Sequence, residues 1–185
     1  MIKLWPLLWS STHGPVYSLE PIFMLDNLEH WRNCSVENKS QTSIFLEVKS
    51  NQRVFNGYGA QETCDMLIQA MIHPCMPVFL VCSDVAVWQH FKDALISYQQ
   101  GRITLFKDKP FPHVSSRHPF QLNRDEHARF MAHVLCYRRQ HVSLDQHQLD
   151  MFHSMNLFNP YAVLQSDGKG KGEYYIETTF YGESN

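Results

Sequence analysis

What most limits the fold of this chain is a run of short apolar segments between residues 42 and 106, each closed by a turn or a helix breaker. In TSIFLEVKS, Thr42 to Ser50, the residues Ile44, Leu46 and Val48 alternate with Phe45, Glu47 and Lys49, the period of a strand with one buried face. After the turn-rich NGYG, the stretch AQETCDMLIQAMIH sets Cys64, Leu67, Ile68 and Met71 at helical spacing, and Pro74 marks its end. MPVFLVCS has the composition of a short buried strand. Asp84 is placed to cap the next helix, DVAVWQHFKDALISYQQ, in which Val87, Trp88, Phe91, Leu95 and Tyr98 form an apolar stripe and Gly101 a stop. RITLF then reads as another strand.

The order strand, helix, strand, helix, strand predicts a compact sheet with helices on one face: an α+β fold with a ferredoxin-like (RRM-like) core. Residues 1–110 make this N-terminal lobe, with the first part, up to about residue 40, as an extra layer. Beyond Lys109 the character changes, and residues 111–185 make a C-terminal lobe of helix plus β-hairpin. There KPFPHVSSRHPF is extended and Pro-interrupted, and Asn123 is placed to cap a helix through RDEHARFMAHVLCYRRQ. Ser143 announces a second helix in SLDQHQLDMFHSM. PYAVLQS and EYYIETTF, joined by the loop DGKGKG, close as a strand pair.

With 185 residues, 44% of them hydrophobic, the chain has enough apolar surface for one sizeable core, and no Gly/Ser linker divides it. The opening MIKLWPLLWSSTHGP holds only a very short apolar run broken by Pro6, too short for a signal peptide or a membrane span. Trp5, Leu7, Leu8 and Trp9 suit a packed segment or a docking strip. Cys34, Cys64, Cys75, Cys82 and Cys136 are odd in number and lack C-x-x-C pairing, which predicts buried or half-buried thiols in a reducing, cytoplasmic compartment. The eleven histidines form no H-x-x-x-H array beside a carboxylate, so neither a metal nor another cofactor is expected.

The net charge of -2 conceals an asymmetry. Residues 1–100 carry six Lys and Arg against nine Asp and Glu, residues 101–171 carry ten against six, and residues 172–185 hold three Glu with nothing basic. The middle segment also holds His113, His118, His127, His133, His141, His147 and His153. It is the part of the chain suited to a polyanion, although a solvated face has the same composition.

Two local motifs bear on chemistry. Glu47-Val48-Lys49 on a strand is the pattern of a PD-(D/E)xK metal-dependent nuclease, with Asp26 as an upstream carboxylate; an ordinary charged outer face produces the same spacing. DGKGKG offers backbone N–H groups and two lysines to phosphate, but it lacks the G-K-[ST] ending of a P-loop and precedes a strand.

Taken in order, HVSSR (His113 to Arg117), the helix after Asn123 with its arginines, PYAVLQS (Pro160 to Ser166), DGKGKG, EYYIE and FYG (Phe180 to Gly182) resemble the C-terminal half of the subtype I-F CRISPR repeat-processing endoribonucleases. The resemblance covers residues 78–185. It implies metal-independent cleavage of an RNA stem-loop, the CRISPR repeat, to a 2',3'-cyclic phosphate, or retention of that hairpin by an inactive relative within a CRISPR effector complex of several subunits. A histidine would take the proton of the ribose 2'-OH, since imidazole exchanges protons near neutral pH.

By the same resemblance Ser166 would position the 2'-OH, and the histidine is either His73 or His30, depending on which segment is the family's first helix. Tyr174 would stack on the RNA, with Tyr181 the terminal tyrosine. Arg117 would read a base edge; Arg124, Arg129, Arg138 and Arg139 would contact phosphates, with Lys169 and Lys171 assisting. The family's dense arginine helix is diluted here by Phe130, Met131, Ala132, Val134 and Leu135, and the N-terminal half has no clear counterpart. An adaptor subunit in a multi-protein assembly, docking through the Trp-rich N-terminus, is the non-enzymatic expectation.

Overall fold

The computed structural model describes residues 12–108, 124–137, 141–155, 165–166 and 174–177. Helix α1 (Pro21–Glu37) starts at a proline, whose fixed φ suits the first helical turn. It turns Met24, Leu28, Trp31 and Ser35 inward. It ends where Lys39 takes a left-handed φ of 49°, and the N–H of Ser40 closes back on the Ser35 carbonyl at 3.1 Å.

Residues 42–50 are not a strand. Helix α2 (Ile44–Ser50) occupies them, with the Ser43 hydroxyl accepting the N–H of Leu46 at 3.4 Å as its cap. Its buried residues are Ile44 and Val48, one helical turn apart, whereas Leu46 is 52% exposed. The alternating pattern contained the i, i+4 pair of a helix, and the middle apolar residue went to solvent.

Helix α3 (Ala60–Gln69) is entered through Gly59, whose N–H is accepted by the Glu62 carboxylate at 3.0 Å. The expected apolar positions Cys64, Leu67, Ile68 and Met71 are all buried. MPVFLVCS also departs from the expected strand. Helix α4 (Val78–Ser83) buries Val78, Val81 and Cys82, the i, i+3, i+4 set, and exposes Leu80. Backbone bonds from Ile44 N to Met76 O (2.9 Å) and Val78 N to Thr42 O (2.9 Å) tie the starts of α2 and α4 together.

Helix α5 (Val85–Asp108) begins as expected: the Asp84 carboxylate accepts the N–H groups of Ala86 (2.8 Å) and Val87 (3.0 Å). Its stripe of Val87, Trp88, Phe91, Leu95 and Tyr98 is buried. It does not stop at Gly101 but runs through RITLF, the third expected strand. Arg102 fastens this last stretch by a 2.6 Å ion pair with Glu62 of α3 and lies over the Tyr98 ring. Against that anchoring, one helical glycine costs only about 1 kcal/mol.

The core is therefore a helical bundle, not a ferredoxin-like sheet with helices on one face. Within residues 12–108 the strand-like pairing described is one isolated bridge, Ser43 to Pro77. At its centre Trp31 meets Phe55 edge-on at 4.8 Å, and Trp88 and Phe91 complete the cluster, 5.8 Å apart. The Trp31 indole N–H reaches the Glu47 carboxylate at 2.9 Å, and the Arg32 guanidinium lies 4.8 Å over the Trp88 ring.

Helix α6 (Arg124–Met131) follows; its expected cap, Asn123, lies outside the described residues. Strand β1 (His141–Leu144) precedes α7 (Gln146–Met155). Ser143, expected to open that helix, is in β1. Asp145 opens it instead, through reciprocal bonds in which its carboxylate accepts the Gln148 N–H (2.8 Å) and the Gln148 side chain accepts its own (3.1 Å). Strands β2 (Gln165–Ser166) and β3 (Tyr174–Glu177) pair antiparallel, and β3 pairs antiparallel with β1 as well, giving the order β1-β3-β2. This small sheet lies outside the bundle's sequence, and from it Val142 enters the core. Among the described residues no helix is long and apolar enough to cross a membrane.

Candidate functional site

The histidines expected to carry chemistry fall on different elements. His73 follows α3 in a turn, where its Nδ1 accepts the Cys75 N–H at 3.1 Å and its Nε2 is buried. Burial lowers its pKa, so the ring is neutral near pH 7 and serves to fix the turn. His30 stands exposed on α1, with its Nε2 3.7 Å from the Cys34 sulfur.

Ser166 and Tyr174 are brought together. They are register partners in the β2–β3 pair, and Tyr174 also partners Leu144 of β1. Arg124 is exposed on α6 and Arg129 lies on the same helix. Arg117, Arg138, Arg139, Lys169, Lys171 and Tyr181 lie outside the described residues, as do Trp5, Leu7, Leu8 and Trp9.

The Glu47-Val48-Lys49 motif loses its premise with the strand. On α2 the two charged residues are two apart and diverge around the helix. Glu47 Oε1 accepts from the Trp31 indole (2.9 Å) and Asn51 (2.7 Å), while Lys49 lies over the Phe45 ring. Glu47 thus fastens α1 to α2. Among the described residues no three of His, Cys, Asp and Glu are grouped so as to hold a metal ion.

The thiols are mixed in exposure. Cys64, Cys82 and Cys136 are buried, Cys34 is half-buried, and Cys75 is exposed, unlike the buried or half-buried state expected for all five. Burial pushes the Cys82 thiol up to about 12.

The start of α1 supplies what the sequence reading missed. Residues 12–15 lie across the loop after α2: Gly14 N–H bonds the Gln52 carbonyl at 3.0 Å, Asn56 donates to the Gly14 carbonyl at 2.6 Å, and Asn27 donates to the Arg53 carbonyl at 2.7 Å. A Cβ on Gly14 would stand 1.7 Å from the Arg53 oxygen, so only glycine admits this approach. The arrangement leaves an open groove of about 570 Å³ whose walls include His13, Glu20, Phe23, Asn27 and Arg53. Phe23, in its wall, is 68% exposed, and Leu19 and Ile22, near it in the chain, are 80% and 72% exposed.

That patch had a signal in the sequence. The inward spacing Met24, Leu28, Trp31, Ser35 leaves Ile22 and Phe23 off the buried stripe, two large apolar residues with no place in the core. An apolar patch beside a polar-walled groove can seat an apolar side chain and pair a charge next to it. No family model, no curated protein and no solved structure matches this chain.

Proposed function

We propose that the chain is an adaptor: a helical body that docks another protein of a multi-subunit assembly through the start of α1. The observation that carries this reading is the exposure of Leu19, Ile22 and Phe23 around the start of α1, with Phe23 in the wall of a groove. Water contact with such a patch is unfavourable, and covering it with an apolar partner segment releases that cost. Arg53 is exposed at the groove and takes part in none of the ion pairs among the described residues. The partner segment therefore carries an apolar side chain for Phe23 and a carboxylate for Arg53.

Placing a photo-crosslinking phenylalanine analogue at position 23 in the producing cell tests this. The expected result is an adduct with a different polypeptide, lost on Ile22→Asp, weakened by Arg53→Glu, and not formed from the exposed position Gln89. No adduct from position 23, or one between two copies of this chain, overturns the reading.

A second reading is favoured by the register pairing of Ser166 with Tyr174. Two residues that the family resemblance assigns to RNA thus stand opposite each other on neighbouring strands. Under it the chain holds an RNA stem-loop. Retention of a hairpin RNA at low salt, reduced by Tyr174→Ala, is expected; failure to retain it at low salt ends this reading.

A further inference from the structure

We infer that Cys64 and Cys136 form a thiol pair that an oxidant converts to a disulfide, locking the C-terminal unit onto the helical bundle. The two residues come from distant parts of the chain and meet in its interior. Cys64 is on α3, Cys136 is in the turn after α6, and each is 0% exposed. The Cys136 backbone N–H donates to the side chain of Asp65, the residue after Cys64, at 2.8 Å, which brings the two buried cysteines close together.

Asp65, next to Cys64, sets that meeting. Its Oδ1 accepts the N–H of Cys136 at 2.8 Å and of Tyr137 at 3.3 Å, and Asp65 is itself fully buried. Further along, Gln148 of α7 donates to the Ile68 carbonyl of α3 at 3.4 Å, and Val142 and Met151 enter the core. The Cys64–Cys136 contact therefore lies at the seam along which the segment after α6 is docked.

In the docked state the pair is protected. Contact with Cys64, burial and the Asp65 charge all push the Cys136 thiol up, and a protonated thiol is a poor nucleophile. Reaction waits for the turn to lift, an opening of the kind that precedes global unfolding. One thiol then loses its proton and attacks a small disulfide such as oxidised glutathione, expelling one glutathione thiolate. As the turn recloses, the second thiol loses its proton and displaces the second glutathione. Two S–H bonds are lost and one S–S bond forms; glutathione disulfide takes the two electrons and two protons and leaves as two thiols.

The experiment uses the full chain carrying Cys34→Ser and Cys75→Ser, incubated in a glutathione redox buffer at neutral pH and mapped without reduction by mass spectrometry. The unsubstituted chain is mapped in parallel, so that a folding defect of the variant leaves the result readable. A peptide linking residue 64 to residue 136 as the dominant product is expected. Recovery of both residues as thiols, or as separate glutathione adducts, overturns the pair. Hydrogen exchange across residues 134–151 is expected to slow at least tenfold on oxidation; equal exchange in the two forms overturns the lock.

Discussion

The carboxylate of Asp65 and the backbone of Cys136, 71 residues apart in the chain, meet at 2.8 Å in the interior of the protein. With the Tyr137 N–H on the same oxygen, a single buried side chain caps a turn that belongs to another part of the fold. Removing it leaves one buried and one half-buried donor without their acceptor, which costs more than the bonds themselves are worth. Asp65→Ala is expected to lower unfolding stability by about 2–4 kcal/mol, and Asp65→Asn, which keeps an oxygen acceptor, by less. Urea denaturation of the three proteins measures the order.

The two glycines Gly14 and Gly101 are expected to respond with opposite sign. A Cβ at position 14 collides with the Arg53 carbonyl, so Gly14→Ala must lift residues 12–15 from the loop and distort the groove. At position 101 a Cβ meets nothing within 4 Å, and the residue is helical. Gly101→Ala is expected to stabilise by up to about 1 kcal/mol. Thermal melts of both variants, with crosslinking from position 23 for the first, decide the matter.

His73 links folding to pH. Burial lowers its folded pKa below the unfolded value of about 6.5, so the unfolded chain binds the extra proton first. Its contribution is fully present above that unfolded value and is lost as the pH falls through it towards the folded one. Between pH 7.5 and pH 5.5 the urea midpoint of the native sequence is expected to fall further than that of His73→Gln. Equal falls would show that other groups carry the acid sensitivity.

Thiol labelling is expected to separate the cysteines in one experiment. Brief treatment of the folded protein with iodoacetamide at pH 7.5 should modify Cys75 first and Cys34 more slowly, sparing Cys64, Cys82 and Cys136. For Cys82 the cause is double: the side chain is buried and its thiol is pushed up to about 12, so hardly any thiolate is present. Rapid labelling of Cys82 would mean that α4 opens readily.

Where a residue's role is settled within a turn or two of its own helix, it was legible in the sequence. Asp84 caps α5 because a carboxylate at that position reaches the first N–H groups whatever surrounds it. The stripe from Val87 to Tyr98 and the inward set of α3 needed only a helical period to be read. The candidate docking patch was legible in principle, because Ile22 and Phe23 fall off the stripe that Met24, Leu28 and Trp31 define.

The choice between strand and helix for residues 42–50, 76–83 and 102–106 was not local. Ile44 and Val48 satisfy a period of two and a period of four equally, and the patterns differ only in whether Leu46 is buried. That is decided by what packs alongside. A strand needs a neighbouring strand to satisfy its backbone, whereas a short helix satisfies much of its own and buries one narrow stripe. Here Trp31, Phe55 and Phe91 fill the centre, α4 packs on α1 and α5, and α2 packs on α3 and α4. The sequence by itself determined the Asp84 cap and the buried face of α5, whereas α3 ends at Gln69, short of the stop expected at Pro74. The tertiary structure alone decided that the short apolar segments coil, that α5 continues past Gly101 to pair Arg102 with Glu62, and that Asp65 and Cys64 meet Cys136. Each of those outcomes depends on a partner far along the chain, and a local pattern holds no record of which distant residue will be there.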